Sequence, residues 1–263
     1  MNNPGNRLLL AFAVASLVAV LNGAITMASV GTPMLRWVLN LAAWGVGALL
    51  AIAIVKAGPR GVAWPLIAIG GTAAVAATLV GPGQLGVHRW LAIGPLFINM
   101  AAVALPAVIV ALARLGQGNR LAQAVALAIA AILALQPDAS QAWGFALACL
   151  AWLLPDRSPS VLVQAAVLVA LAVFATFSPD PLMPVPEVEQ IVSLALSVHP
   201  ALAAVALTAL ISLPVLVWKL GRLGRLGPQG RAARALAIYI AAICAAPLFG
   251  WFPVPLVGAG MSF

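Results

Sequence analysis

The chain has very few charged residues. Only 7% of its 263 residues are Asp, Glu, Lys or Arg, whereas a soluble domain averages about 25%. A soluble fold with 64% hydrophobic residues would lack the polar groups needed to cover its surface. In lipid that requirement disappears, because the outside of a protein is then as apolar as its inside. The composition therefore excludes a soluble domain and predicts one membrane-embedded bundle over residues 1–263.

Cysteine is also scarce. Cys149 and Cys244 each lie inside an apolar run, which is typical of small packing residues, and they form no metal-ligand pattern. We infer no disulfide from them. We expect no cleavable signal peptide, since the apolar run from Leu8 to about Val30 is longer than a signal core and has no clear small-residue cleavage site. We interpret this run as the first spanning helix.

Long apolar runs account for most of the chain. A helix needs about 20 residues to cross the hydrocarbon core, and the charged residues separate runs of about this length. Kinks are expected at Pro106 and Pro214, which lie inside runs. The pattern predicts an all-α polytopic bundle with about nine transmembrane helices, at residues 8–30, 37–55, 62–80, 95–113, 121–136, 141–155, 159–177, 190–218 and 232–250.

The position of the basic residues fixes an orientation. With the N-terminus inside, the outside holds only Arg36 and Arg89 of the 13 Lys and Arg residues, which agrees with the positive-inside rule. The odd helix number then places the C-terminus outside. The cluster from Lys219 to Arg234 is interpreted as an inner anchor on anionic lipid, with a docking site for a cytoplasmic partner as the alternative. The net charge of +8 therefore indicates a membrane surface and no nucleic acid. The predicted inner residues are Arg7, Lys56, Arg60, Arg114, Arg120, Arg157, Lys219, Arg222, Arg225, Arg231 and Arg234.

The first informative outer segment covers residues 81–95. Gly and Pro punctuate both of its ends, which predicts a structured turn region. Trp90 beside Arg89 suits the headgroup level of the bilayer. Arg89 also has the geometry to bind a phosphate. Both roles, interfacial anchor and phosphate ligand, stay open at this point.

Two further outer segments carry carboxylates. In Leu135–Ser140, Pro137 suits the first turn of a helix and Asp138 suits a helix N-terminus. The segment Ser178–Gln190 has four prolines and three acids. If it is extended, Glu187 and Glu189 share a face, where they would bind a divalent cation or act as acid and base; the alternative is that they are only solvated.

These segments resemble a known family. Gly86-Val-His-Arg-Trp90 followed by Ile93-Gly-Pro95 is similar to the Gly-Ala-Arg-Arg-Trp…Leu-Gly-Pro signature of the shape, elongation, division and sporulation (SEDS) family, the FtsW/RodA/SpoVE cell-wall glycosyltransferases. Leu135-Gln-Pro-Asp138 is similar to the family's Gln-Pro-Asp-Leu-Gly-Thr motif. The C-terminal residues 250–263 look like a shortened form of its last signature. The matches follow the family's order and span most of the chain.

The chain also departs from the family pattern. Ala102 and Leu105 occupy the family's Glu and Lys positions after the Gly-Pro pair. The long loop between the family's seventh and eighth helices is shortened to the proline-rich stretch, and the tenth helix is missing. Val188-Glu-Gln-Ile-Val192 stands where the family has the motif that carries its essential aspartate, so Glu189 replaces that aspartate only if the alignment shifts slightly.

The resemblance implies glycosyl transfer from a polyprenyl-diphosphate-linked sugar in peptidoglycan polymerisation, at the bacterial inner membrane. Carried over by position, Glu189 is the candidate base and Asp138 organises the site. Arg89, Trp90, His88 and Glu187 are candidate substrate-binding residues. A divalent cation is left open as a cofactor. The implied partners are membrane lipids, the lipid-linked sugar and a membrane protein of the cell-wall machinery.

Two alternatives compete with this activity. The lost Glu, Lys and long loop favour a catalytically degenerate relative that binds or regulates the cell-wall machinery. A transporter of lipid-linked precursors fits the bundle less well, because no charged residue lies near a predicted mid-membrane position.

Overall fold

A computed structural model describes residues 3–57, 62–94, 96–224 and 227–259. The expectations placed on Arg60, Pro95, Arg225 and residues 260–263 lie outside the described residues. Within the described ranges the chain is mainly helical, with one two-stranded hairpin.

The elements follow one another in a simple order. They are α1 (Pro4–Ser29), α2 (Met34–Ala57), α3 (Trp64–Ala77), β1 (Trp90–Ile93), β2 (Leu96–Asn99), α4 (Met100–Leu115), α5 (Arg120–Leu135), α6 (Ala139–Leu153), α7 (Pro159–Phe177), α8 (Pro186–Glu189), α9 (Ile191–Val198), α10 (Pro200–Leu223) and α11 (Pro228–Ala245), with short 3₁₀ turns at Thr78–Val80 and Ala246–Leu248.

These elements form two compact units, each described by itself. The first unit comprises Met1–Val62, Pro184–Leu216 and Cys244–Phe263, and the second comprises Ala63–Met183 and Val217–Ile243. A single domain over the whole chain therefore stays a prediction.

In the first unit, α1 packs against α2 and α9. α1 begins at Pro4, a residue favoured at the first helical position, and the Asn3 side chain accepts a hydrogen bond from the Gly5 N–H at 2.9 Å. A buried apolar cluster joins α1 to α9, α10 and the C-terminal segment through Met27, Ile191 and Val257.

In the second unit, α5 is central and packs against α3, α6 and α7, while α4 packs against α3 and α6. Polar side chains start three of its helices. The Asn99, Asn119 and Asp138 side chains each accept a backbone N–H in the first turn of α4, α5 and α6.

Several helix starts differ from the sequence expectation. The fourth helix, expected from residue 95, begins at Met100 because residues 96–99 form the second strand of the hairpin. The eighth, expected as one helix over 190–218, is divided, and α10 begins at Pro200. His199 is extended (φ −163°, ψ 132°), since a residue that precedes proline disfavours the helical region. The last helix also starts and ends earlier than expected, at Pro228 and Ala245.

Among the residues that the structure describes, five helices are long and apolar enough to cross a membrane: Pro4–Ser29, Met34–Ile54, Pro159–Phe177, Pro200–Leu223 and Pro228–Leu248. Four shorter apolar helices occupy Trp64–Val80, Met100–Leu115, Arg120–Leu135 and Ala139–Leu153. Many large apolar side chains on these helices are exposed, as expected where lipid is the solvent. The chain is thus a multi-pass membrane protein, whereas the count of nine spans and the orientation of the termini stay predictions.

Candidate functional site

The segment expected to be a structured turn is a β-hairpin preceded by a tight turn. β1 and β2 pair antiparallel with Trp90 opposite Asn99. Before them, Gln84 and Val87 exchange backbone hydrogen bonds of 3.0 and 2.9 Å around Leu85 and Gly86, which both have positive φ angles of 51° and 84°. Two consecutive left-handed residues define a type I′ turn, the form that matches the twist of paired strands. The hairpin gives residues 88–90 fixed positions.

His88 and Trp90 both lie against the protein. The His88 Nδ1 atom is 3.1 Å from the Gly81 carbonyl oxygen. The imidazole covers Gly83 so closely that a Cβ there would lie 2.7 Å from its Cε1 atom, which explains the glycine. Trp90 is only 6% exposed, so its ring is covered by protein, and its position at the headgroup level stays a prediction.

Arg89 clamps the hairpin to two other segments. Its Nε donates to the Gln136 carbonyl oxygen at 3.1 Å, and its Nη2 donates to the carbonyl oxygen of Pro137. The same Nη2 lies 2.6 Å from the Asp180 carboxylate. The Arg89 side chain is 13% exposed and that of Asp180 is 37% exposed. The Nε and Nη2 atoms of the guanidinium thus bind the protein, and an incoming phosphate would meet Nη1 or compete with the Asp180 carboxylate for Nη2.

The turn between α5 and α6 is held by buried polar side chains. The Gln136 amide Nε2 donates to Thr78 Oγ1 at 2.5 Å and to the Val75 carbonyl oxygen at 3.2 Å. Asp138 is buried as the N-cap of α6, where its Oδ1 accepts from Ser140 Oγ at 3.1 Å and from the Gln141 N–H at 3.3 Å. The expectation that Asp138 starts a helix is confirmed. Pro137, which was expected in the first turn of a helix, precedes this cap instead.

A tyrosine that the sequence analysis missed extends this polar region. The Tyr239 hydroxyl in α11 donates to Gln141 Oε1 at 2.5 Å, and both residues are buried. Gly144, one turn along α6, makes room for the ring, since a Cβ there would lie 3.1 Å from Tyr239 Cδ2. Two features of the sequence indicate this contact: Tyr239 is the one tyrosine in the chain, and Gln141 is a polar residue within an apolar run.

Glu187 and Glu189 belong to the first unit and have a different geometry from the one expected. They lie on the single helical turn α8, where residues two apart point in directions about 200° apart. The expectation of an extended stretch with both carboxylates on one face is therefore wrong. Glu187 Oε1 is 3.4 Å from Thr32 Oγ1, and Glu189 Oε2 accepts the Val185 N–H at 2.6 Å. Both residues are half-buried. Proline at 186 starts the turn, and Glu189 closes it.

The C-terminal segment holds this turn through backbone atoms. The Val254 N–H donates to the Val188 carbonyl oxygen at 3.0 Å, and the Ala259 N–H donates to that of Glu187 at 2.8 Å. A Cβ on Gly258 would lie 2.5 Å from the Val188 carbonyl oxygen, so only glycine allows this approach. The segment that resembles the family's last signature thus positions the Glu187–Glu189 turn.

The second unit gathers Arg89, Trp90, His88 and Asp138, because Arg89 binds the carbonyl groups that immediately precede Asp138. The first unit holds Glu187 and Glu189. Among the residues that the structure describes, no group of three or more His, Cys, Asp or Glu side chains is arranged to hold a metal ion.

The fold has counterparts among solved structures. The crystal structure of the rod shape determining protein RodA from Thermus thermophilus matches 95% of this chain and 89% of its own, with a TM-score of 0.63 and 17% identity. An aspartate-to-alanine mutant of that protein matches 90% of this chain and 81% of its own, with a TM-score of 0.60 and 18% identity. No protein-family model matches the sequence, and no curated protein sequence matches it.

These findings define the class of protein as a multi-pass membrane protein of predominantly helical fold. More particularly, the fold resembles that of RodA over nearly the whole chain. The resemblance drawn from Gly86–Trp90 and Leu135–Asp138 is thereby confirmed at the level of the fold.

Proposed function

We propose that the protein is a SEDS-like component of bacterial cell-wall synthesis that transfers glycosyl units from a polyprenyl-diphosphate-linked sugar at the inner membrane. The observation that carries this proposal is the RodA-like fold over 95% of the chain, together with motif remnants in the family's order. Fold likeness alone does not assign an activity, so the roles below rest on the chemistry of the residues.

In this proposal Glu189 is the base. Its carboxylate takes the proton of the acceptor hydroxyl while that oxygen bonds to the anomeric carbon and the bond to the diphosphate breaks. Glu187 contacts the sugar. Arg89 and His88 contribute to substrate binding, with the Arg89 guanidinium meeting a phosphate oxygen, and the buried Trp90 ring supports the hairpin that carries them. Asp138 is a positioning residue, because it caps the helix that follows the Arg89 clamp. A divalent cation would offset the negative charge of the departing diphosphate.

The decisive experiment is polymerisation of a lipid-linked disaccharide by the purified protein, with and without Mg²⁺, beside Glu189→Gln. This variant separates chemistry from structure, because a glutamine oxygen still accepts the Val185 N–H whereas it no longer takes up a proton. We expect a folded protein that has lost at least about 100-fold in rate, the contribution typical of general base catalysis.

Glu187→Gln is the matched control, since it neutralises the neighbouring carboxylate on the same turn and keeps an oxygen near Thr32. We expect it to weaken substrate binding and to leave the maximal rate largely intact. Equal turnover by wild type and Glu189→Gln would refute the assignment of the base.

A second function, binding without turnover, is favoured by a specific observation. All five acids of the chain make protein contacts: Glu189 accepts a backbone N–H, Glu187 meets Thr32, Asp138 caps α6, Asp156 accepts the Ser158 N–H, and Asp180 pairs with Arg89. A regulatory relative would retain a lipid-linked sugar or a membrane partner of the cell-wall machinery and form no polymer. Polymer formation by the purified chain alone would exclude this alternative.

A further inference from the structure

The first unit contains a groove that the proposed chemistry does not use. It is a cavity of about 460 Å³, a volume in the range of about 300–1,000 Å³ that is usual for ligand pockets. One wall comes from α1, the other from α2, and the C-terminal segment supplies the floor. Its lining includes Phe12, Val20, Ala43, Gly47, Ala51 and Leu256.

One face of each helix forms the groove. The lining positions of α2 follow the three- and four-residue spacing of a single helix face: 40, 43 and 44, 47 and 48, and 51. Most of them are small, so the wall of α2 lies back from α1. A side chain at Gly47 would meet no atom within 4 Å of its Cβ, which shows that the space in front of it is open.

The polar groups in the groove already bind the protein. The Trp44 Nε1 donates to Ser16 Oγ at 3.0 Å, and the Ser16 hydroxyl donates to the Ala13 carbonyl oxygen at 2.9 Å. Asn40 Nδ2 donates to the Gly258 carbonyl oxygen at 2.8 Å. None of the lining residues that the structure describes is basic or acidic. The groove therefore presents an apolar surface to its occupant and offers no charge to a phosphate or diphosphate.

The helices that line the groove have the length and composition of membrane-spanning helices. Both α1 and α2 are long and apolar enough to span a membrane, and no residue in the spanning window of α2 is buried. Large apolar side chains such as Leu49, which is 68% exposed, project from α2 beside the lining positions. In a bilayer the molecules that meet this surface are lipid chains.

We propose that the groove binds one acyl chain of a bilayer phospholipid. In a membrane the free energy of binding does not come from removing apolar surface from water. It comes from dispersion contacts, which are lost when the groove is empty or poorly filled. A flexible chain reaches the open space in front of Gly47, where a Cβ would meet no atom within 4 Å. Because none of the described lining residues is basic, the groove suits the chain of an ordinary phospholipid better than a diphosphate-linked chain.

The bound chain has a consequence for the carboxylate turn. The floor of the groove consists of Leu256 and Gly258, which belong to the segment whose backbone holds Glu187 and Val188. Gly258 faces the groove on one side and the Val188 carbonyl oxygen on the other. An acyl chain in the groove therefore packs against the segment that fixes the turn carrying Glu187 and Glu189.

The test uses Trp44 as a reporter. The full chain is placed in nanodiscs of phosphatidylcholine brominated at the middle of one acyl chain, and bromine quenches an indole that it touches. The fluorescence of Trp44 is obtained as the difference between the fluorescence of wild type and that of Trp44→Phe. We expect strong quenching of this component in wild type and loss of most of it in Gly47→Leu, whose side chain fills the groove.

Gly45→Leu is the matched control, since Gly45 also has nothing within 4 Å of its Cβ and lies outside the lining. It should be quenched like wild type. Ala51→Leu provides a second blocking variant, should Gly47→Leu fail to fold. Equal quenching of Trp44 in the blocking variants and in wild type would overturn the proposal.

Two further outcomes overturn the chosen occupant. Relief of quenching by a polyprenyl diphosphate at low molar ratio would assign the groove to that chain. A second copy of the chain would be the occupant if the protein forms a stable dimer in non-brominated nanodiscs and Gly47→Leu abolishes that dimer. In that case bromine should not quench Trp44 in the brominated nanodiscs. None of these readouts depends on glycosyl transfer, so they test acyl-chain binding in the groove independently of the proposed activity.

Discussion

The two segments that carry the candidate site residues are fixed in different ways. In the second unit, side chains do the holding: the Arg89 guanidinium, the Gln136 amide and the Asp138 carboxylate each bind a particular partner. In the first unit, the turn with Glu187 and Glu189 is held mainly by backbone N–H and carbonyl groups of the C-terminal segment.

This difference explains which motif was recognisable. A side-chain clamp depends on residue identity, so Gly86–Trp90 and Leu135–Asp138 keep a pattern that can be matched. Backbone hydrogen bonds are available to almost any residue, and they leave a trace in the sequence only where a side chain is forbidden, as at Gly258. The alignment around Glu189 was accordingly the weakest part of the resemblance.

The largest predicted effect breaks the backbone-held segment. In Gly258→Ala the new Cβ lies 2.5 Å from the Val188 carbonyl oxygen and 2.9 Å from that of Val254, and neither backbone atom has room to move cheaply. We expect the free energy of unfolding to fall by about 3 kcal/mol, measured by denaturation in detergent. Gly45→Ala, which meets nothing within 4 Å, is the control and should be neutral or slightly stabilising. Similar stabilities of the two variants would contradict the close packing at Gly258.

The next effect breaks the side-chain clamp. Arg89→Ala leaves the Gln136 and Pro137 carbonyl oxygens without this donor, and we expect a loss of about 2 kcal/mol in the free energy of unfolding. Asp180→Asn removes only the charge of the more exposed partner and should cost less than about 1 kcal/mol.

The contrast between these two variants sharpens the assignment of the clamp. If Asp180→Asn is as destabilising as Arg89→Ala in the same denaturation experiment, then the ion pair, and not the carbonyl contacts, holds the hairpin.

The smallest effect distinguishes a structural aspartate from a reactive one. Asp138→Ala removes the N-cap of α6 and should cost about 1 kcal/mol, whereas Asp138→Asn keeps the accepting oxygen and should cost less than about 0.5 kcal/mol. Because Asp138 is proposed to position the site, Asp138→Asn should also retain most of the polymerising activity. A fully stable but inactive Asp138→Asn protein would make Asp138 a participant in the chemistry.

Much of the fold was predictable from local chemistry. Apolar runs between charges located the helices, Pro106 and Pro214 lie inside helices as expected, and Asp138 caps α6. The errors have local causes as well. Residues 96–99 are apolar, which hides a short strand within the apparent start of α4, and the break at His199 depends on the proline that follows it.

The sequence by itself determined that the chain is a membrane-embedded helical protein, because 7% charge over long apolar runs leaves no other solvent for its surface. It also determined which short motifs resemble a family, since those motifs are made of side chains. Only the tertiary structure decided that Arg89 binds Asp180, that Tyr239 binds Gln141, and that small residues of α2 line a groove beside α1. Such partners lie tens of residues or more apart along the chain, and a local pattern contains no information about which distant groups packing brings into contact.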